Sequence, residues 1–176
     1  VPFVANKKRV LAVGDIVVYG AHGAGSIVAR EARSANGEQQ TVVVIALAGG
    51  LSVQLPLAFA QEHLRTVIDE AAIITIQEVL RASGTIGDDS WLKRRREAEA
   101  KLRDAIGLAE VIRDGNARET APTRGSGSRL SPGERELVRR ARELLTREIA
   151  LARDMAVLEA GAWIDTQLAM SSSLRQ

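Results

Sequence analysis

Two hydrophobic periods divide the chain. Up to about Ile68, apolar residues alternate with polar ones or come in short β-branched runs, as in strands; beyond it they recur every three or four residues, as in helices. The first predicted strand is Asp15-Ile16-Val17-Val18-Tyr19, closed by Gly20, Gly23 and Gly25. Residues 26–33 form the next and end at Ser34-Ala35-Asn36-Gly37, where Asn-Gly predicts a hairpin because both residues tolerate positive φ. Residues 41–47 are the most apolar run, turned by Gly49-Gly50 into residues 51–55. There the alternation points Leu51, Val53 and Leu55 inward and Ser52 and Gln54 outward, until Pro56 stops the strand. Residues 64–68 are expected to add a last strand. Short strands on tight turns predict an SH3-like or Tudor-like small β-barrel, a fold with edges that a partner strand can extend.

The helical half starts with Ala72, Ile73, Ile76, Val79 and Leu80, which predict a helix over about 69–82, broken by Ser83-Gly84-Thr85-Ile86-Gly87. Asp88, Asp89 and Ser90 then form a helix start, with Ser90 the expected cap. This helix is expected to run through Ala98, Leu102 and Ile106 to a kink near Gly107, with Leu108, Val111 and Ile112 continuing. Residues 120–129, holding Pro122, Gly125 and Gly127, predict a flexible loop. Ser131-Pro132-Gly133-Glu134 reads as a capping box with Pro at the first helical position. Leu137, Ala141, Leu144, Leu145, Ala152 and Met155 are the inner face of the long helix that follows, and Arg135, Arg139, Arg140, Arg142 and Glu143 its solvated face. Gly161 is expected to interrupt, leaving Trp163, Ile164 and Leu168 for one short packing helix. The pattern predicts an α+β protein: a β-barrel domain over 1–68, an all-α domain over 69–170 and a disordered tail over 171–176.

Composition excludes more than it assigns. Apolar content of 45% with 26% charged residues suits an ordinary soluble domain, and no apolar run reaches membrane-spanning length. Val1 to Val10, with Lys7, Lys8 and Arg9, is too short for a signal peptide. Zero Cys removes disulfides, thiolate zinc sites and Cys nucleophiles, and suits a reducing cytoplasm. His22 and His63 are the only histidines and neither has a carboxylate at ligand spacing. Gly20-Ala21-His22-Gly23-Ala24-Gly25 lies between two strands with no helix after it, so it reads as a hairpin turn and not a phosphate loop. No enzyme, cofactor or metal is expected. The net charge of +2 is too small for a DNA-coating protein, so any nucleic-acid contact must be a local patch.

One such patch is written in the sequence. Trp91-Leu92-Lys93-Arg94-Arg95-Arg96 places an indole on the first turn of a helix and four cations after it. Cations attract phosphate whatever the sequence, and an apolar wedge can unstack bases. Against that, Trp91 falls on the same helical side as Arg95, Ala98 and Leu102, so it can equally close an apolar stripe.

Val13-Gly14-Asp15-Ile16-Val17-Val18-Tyr19-Gly20-Ala21-His22-Gly23-Ala24-Gly25 resembles the G-D-x-V-V-Y-P-x-H-G-x-G opening of the CarD/CdnL family, bacterial transcription regulators that bind RNA polymerase. Leu130-Ser131-Pro132-Gly133-Glu134, with Ala141-Arg142 and Leu144, resembles the family's L-S-x-G-E…A-R-x-x-L signature. The Ser90-Trp91 helix takes the place of its DNA-contacting tryptophan helix. The resemblance spans about residues 11–155 and implies a barrel, similar to that of the transcription-repair coupling factor, that grips the RNA polymerase β subunit through a strand edge. It implies polymerase-binding positions at Arg33, Ser52 and Gln54, the last standing where relatives often carry arginine. Gly20 replaces the usual Pro. It further implies that Trp91 wedges into the minor groove at the upstream edge of the promoter bubble, with Lys93, Arg94, Arg95 and Arg96 on nearby phosphates. The expected function is then stabilisation of the promoter open complex by a nucleoid-associated cytoplasmic monomer with no membrane or small-molecule partner. The alternative is a protein-interaction adaptor on RNA polymerase with Trp91 in the core.

Overall fold

The alternating half of the chain forms one antiparallel sheet. Its strands are β1 (Ile16–Val18), β2 (Ala24–Ala35), β3 (Glu38–Leu47), β4 (Ser52–Pro56) and β5 (Arg65–Thr66), in the order β4-β3-β2-β1-β5. The computed structural model describes residues 10–35, 38–85, 90–121 and 130–173; of Ala35, Glu38, Trp91, Ser172 and Ser173 it describes the backbone alone. The Asn36-Gly37 turn, the acids Asp88 and Asp89, and most of the expected loop at 120–129 therefore lie outside the described residues.

The register explains the core. Ile27 pairs with Ile45 and Val43 with Leu55, and these four point to one face with Val17, Leu47 and Leu64. Leu11 and Ala60 close the same cluster. Gly20, at φ 43°, and Gly23, at φ 91°, carry the tight turn between β1 and β2, where Tyr19 N donates to Gly23 O at 2.9 Å. The glycine-rich stretch is thus a hairpin turn, and His22 stacks on Tyr19 with ring centroids 4.8 Å apart. The alternation of β4 holds only in part: Leu55 is buried, Val53 half-buried, and Leu51 precedes the strand at 55% exposure. A helix that the period did not announce, α1 (Leu57–His63), follows Pro56 and buries Ala60. The fold is α+β, with a Tudor-like sheet first and helices after it.

The chain divides at Val67/Ile68 into two compact units, Val1–Val67 and Ile68–Gln176. The second holds α2 (Glu70–Arg81), α3 (Trp91–Lys101), α4 (Ala105–Thr120), α5 (Pro132–Arg153) and α6 (Val157–Ser173). Asp69 caps α2 by accepting from Ala72 N, and Ile73, Ile76 and Leu80 are its buried stripe. In α4 the stripe is Leu108, Val111 and Ile112; in α5 it is Ala141, Leu145 and Ile149. The capping box of α5 forms as its sequence requires, Ser131 and Glu134 each accepting from the other's backbone N–H.

Three breaks differ from the sequence pattern. The Trp91 helix stops at Lys101, and α4 begins afresh at Ala105, capped by Asp104, whose carboxylate accepts from Gly107 N at 2.8 Å. Ile106 is consequently 41% exposed instead of continuing the stripe. Gly161 does not interrupt: α6 runs straight through it, and the break lies at Asp154, which ends α5 in the left-handed conformation at φ 49°. The same helix carries on to Ser173 with Ser171 buried, past the point where disorder was expected after Met170. Trp163, half-buried, lies under the Arg153 guanidinium at 5.2 Å from the ring centroid.

Candidate functional site

In the sheet unit, residues paired across neighbouring strands share a face. Gln54 pairs with Val44 and Val44 with Ala29; Ser52 pairs with Ala46 and Ala46 with Ser26. Arg33 pairs with Gln40, an even number of residues along β3 from Val44. Arg33, Ser52 and Gln54 therefore all belong to the sheet face opposite the core, and all three are exposed. The register shift between Ile27 and Ala29 makes this so, because it adds Val28 as an extra residue and moves Arg33 to that side. The three do not form one cluster. Arg33 stands four residues along β3 from the position of Gln54, about 13 Å at strand rise.

Arg33 is also committed locally. Its Nη2 meets Glu31 Oε2 at 2.9 Å and its Nε meets the same oxygen at 3.1 Å. Both side chains are about half exposed, so this pair holds weakly and a partner can displace it. Strand β4 ends the sheet order, so among the described residues its outer edge faces no further strand. A strand-adding partner needs such an edge.

In the helical unit the candidate residues lie on α3. Ser90 precedes it but makes no side-chain cap. Lys93, Arg95 and Arg96 are exposed, and Arg95 Nε pairs with Glu99 at 2.8 Å one turn along the surface. Arg94 points elsewhere. Its Nε donates to Glu134 Oε1 at 2.7 Å, forty residues away in the capping box of α5. The other carboxylate oxygen of Glu134 accepts from Ser131 N at 2.8 Å. Burial pushes the Glu134 carboxyl up, but the hydrogen bonds from Arg94 and Ser131 and the charge of Arg94 outweigh it, holding it below its ordinary 4.5. At the far end of α3, Lys101 Nζ reaches Glu110 Oε2 at 2.7 Å, and Leu102 just beyond is buried. Between α3, α4 and α5 lies a cleft of about 330 Å³ lined by Arg94, Ala98, Lys101, Glu110, Asp114 and Arg118. The side chain of Trp91 lies outside the described residues.

The charged side of α5 is solvated only in part: exposed Arg139 pairs with both Glu136 and Glu143, but half-buried Arg142 reaches α6, pairing with Asp165 at 2.6 Å and donating to Gly161 O at 3.2 Å. The acids of Arg139 lie one turn away on α5, whereas Asp165 belongs to α6 and Arg135 meets Glu119 of α4 at 3.6 Å. Sequence reasoning missed Glu134 as a partner of the basic run, and nothing local announces it. It missed Glu31 as the neutraliser of Arg33, although a two-residue spacing on one strand face was a usable signal.

Residues 11–68 match the family model of the CarD-like/TRCF RID domain, and residues 75–165 match that of the CarD C-terminal domain. The two matches fall on the sheet unit and the helical unit, in the order that the motifs at Gly14 and Leu130 suggested. With a Tudor-like sheet in its first unit and helices in its second, the chain belongs to the CarD family of transcription factors that interact with RNA polymerase.

Proposed function

We propose that this chain tethers itself to the RNA polymerase β subunit through β4 and the adjoining sheet face, and stabilises the promoter open complex with α3. Arg33, Ser52 and Gln54 supply the polymerase contacts. Trp91 is the wedge at the upstream edge of the bubble, and Lys93, Arg95 and Arg96 approach the flanking phosphates. The observation that carries this reading is the exposure of those three cations on one short helix of a protein with little net charge. Such a patch binds free DNA weakly, and a tether to polymerase supplies the local concentration it lacks. The action is binding alone: a wedge that fits melted DNA better than duplex shifts the equilibrium by that difference in affinity. Unstacking one step costs a few kcal/mol, which sets the scale of the effect.

A second reading has its own support. Position 91 precedes Ala98 and Leu102 by seven and eleven residues, so it shares their line on the helix, and Leu102 is buried. On that reading Trp91 packs inward and the chain is an adaptor without a wedge.

One comparison separates them. Trp91→Ala and Arg33→Glu are assayed side by side for retention on purified polymerase and for open-complex lifetime. Trp91→Ala should keep retention and lose the effect on lifetime, whereas Arg33→Glu should weaken both. Normal lifetime with Trp91→Ala, or equal loss of retention, would favour the adaptor. Trp91 fluorescence in a Trp163→Phe background, unchanged by promoter complexes, would do the same.

A further inference from the structure

Arg94 sits in the middle of a cationic run, yet its guanidinium is tied to a buried carboxylate on another helix. We propose that Arg94 is a positioning residue and not a phosphate ligand: with Glu134 it forms a latch that presets the rotation of α3 before binding, so that the cations that contact DNA need no reordering. This rests on the reading of α3 as the DNA-facing helix.

The receiver of the latch is rigid. Glu134 is 8% exposed, its second oxygen is held by Ser131 N at 2.8 Å, and its own N–H is held by Ser131 Oγ at 3.3 Å. Drawing Arg94 away to a phosphate would leave a buried carboxylate without its cation, which low-dielectric surroundings oppose. The helix also needs such a tie. Leu92 is 48% exposed, and Leu102 is buried just past the last turn of α3. Arg94 and Lys101 are seven residues apart, two helical turns, and therefore lie on one line about 10 Å long. Both are ion-paired, to α5 and to α4. Two ties on one line fix rotation as well as tilt. At about 100° per residue, Arg96 then stands about 200° from Arg94, opposite the anchored line, with Lys93 and Arg95 on the flanks.

The test turns on a sign. Glu134→Gln keeps the volume and the capping-box reach of position 134 and removes only its charge. If Arg94 is a latch, Glu134→Gln and Arg94→Gln should both shorten open-complex lifetime severalfold, and the double variant should be no worse than either. Neither should change the salt dependence of the effect, whereas Arg96→Gln should lower the log–log slope by about 0.9, one phosphate contact. If Arg94 is a phosphate ligand, Glu134→Gln releases it and lengthens the lifetime, and Arg94→Gln lowers the slope; either result overturns the proposal. Melting curves choose a temperature at which every variant is folded, where a purely stabilising pair would leave lifetime untouched.

A second measurement does without DNA. The chain has no cysteine, so Leu92→Cys with Arg147→Cys accepts two spin labels and nothing else does. In the free protein the distance distribution between α3 and α5 should broaden when Glu134→Gln is added. An unchanged distribution refutes the latch. If the distribution broadens while Trp91→Ala and Arg96→Gln leave lifetime unaffected, the latch stands and the DNA reading fails.

Discussion

Glu134 shows how much one side chain can carry. It closes the α5 capping box, takes the Arg94 guanidinium and lines the cleft between α3, α4 and α5. Its folded carboxyl titrates below the unfolded value of 4.5. A depressed acid contributes stability above its unfolded pKa and loses it as pH falls through the folded one. Wild-type protein should therefore lose melting temperature more steeply than Glu134→Gln once pH drops below about 4.5, and the two curves should run parallel above it. Glu70 and Glu136, held low by Arg153 and Arg139, titrate in both proteins and cancel in the comparison. Curves parallel throughout would remove the charge from the role of Glu134. The capping half of that role was legible in sequence because it spans three residues; the Arg94 half spans forty and was not.

At the scale of elements, two glycines that their sequence context marks as helix breaks both lie inside helices. Gly107 is no kink but the first turn of α4, packed so tightly that a Cβ would meet Lys101 O at 2.3 Å. Gly161 is no breaker but an interior residue of α6 where a Cβ would lie an ordinary 3.7 Å from Thr146 Cγ2. Alanine at these positions should act in opposite directions. Gly161→Ala should stabilise by about 0.5–1 kcal/mol through reduced backbone freedom of the unfolded chain. Gly107→Ala should destabilise by about 1–3 kcal/mol, since a backbone carbonyl cannot step aside as a flexible side chain can. Urea midpoints at constant slope decide both, and a shared sign would mean the local packing is misjudged. Helix α1 eluded the pattern for a related reason: seven residues give too few turns for a helical period to emerge.

At the scale of the molecule, the two units are joined directly, Thr66 ending β5 and Ile68 already giving its N–H to Glu148 at 3.2 Å within the helical unit. If polymerase binding by the first unit is to hold α3 at the bubble, the length of that junction matters. A flexible Gly/Ser insert of about ten residues between Val67 and Ile68 adds a random coil of about 17 Å root-mean-square span. Retention on polymerase should be unchanged, and open-complex lifetime should fall toward that of polymerase alone as effective concentration drops. An undiminished lifetime would show that α3 finds DNA without help from the tether.

Local and periodic features were determined by the sequence itself. The strand period of the first half, the capping box at Ser131 and Glu134, the break between β- and α-forming halves and the family motifs all depend on residues within a few positions of one another. Their geometry follows from backbone preference and the alternation of faces. Tertiary structure decided the rest. A bulge near Val28 put Arg33 on the same sheet face as Ser52 and Gln54, and a carboxylate forty residues away took Arg94 out of the cationic run. Each is settled by what a residue meets across the fold, and burial and ion pairing there outweigh the few tenths of a kcal/mol by which local propensity ranks most residues.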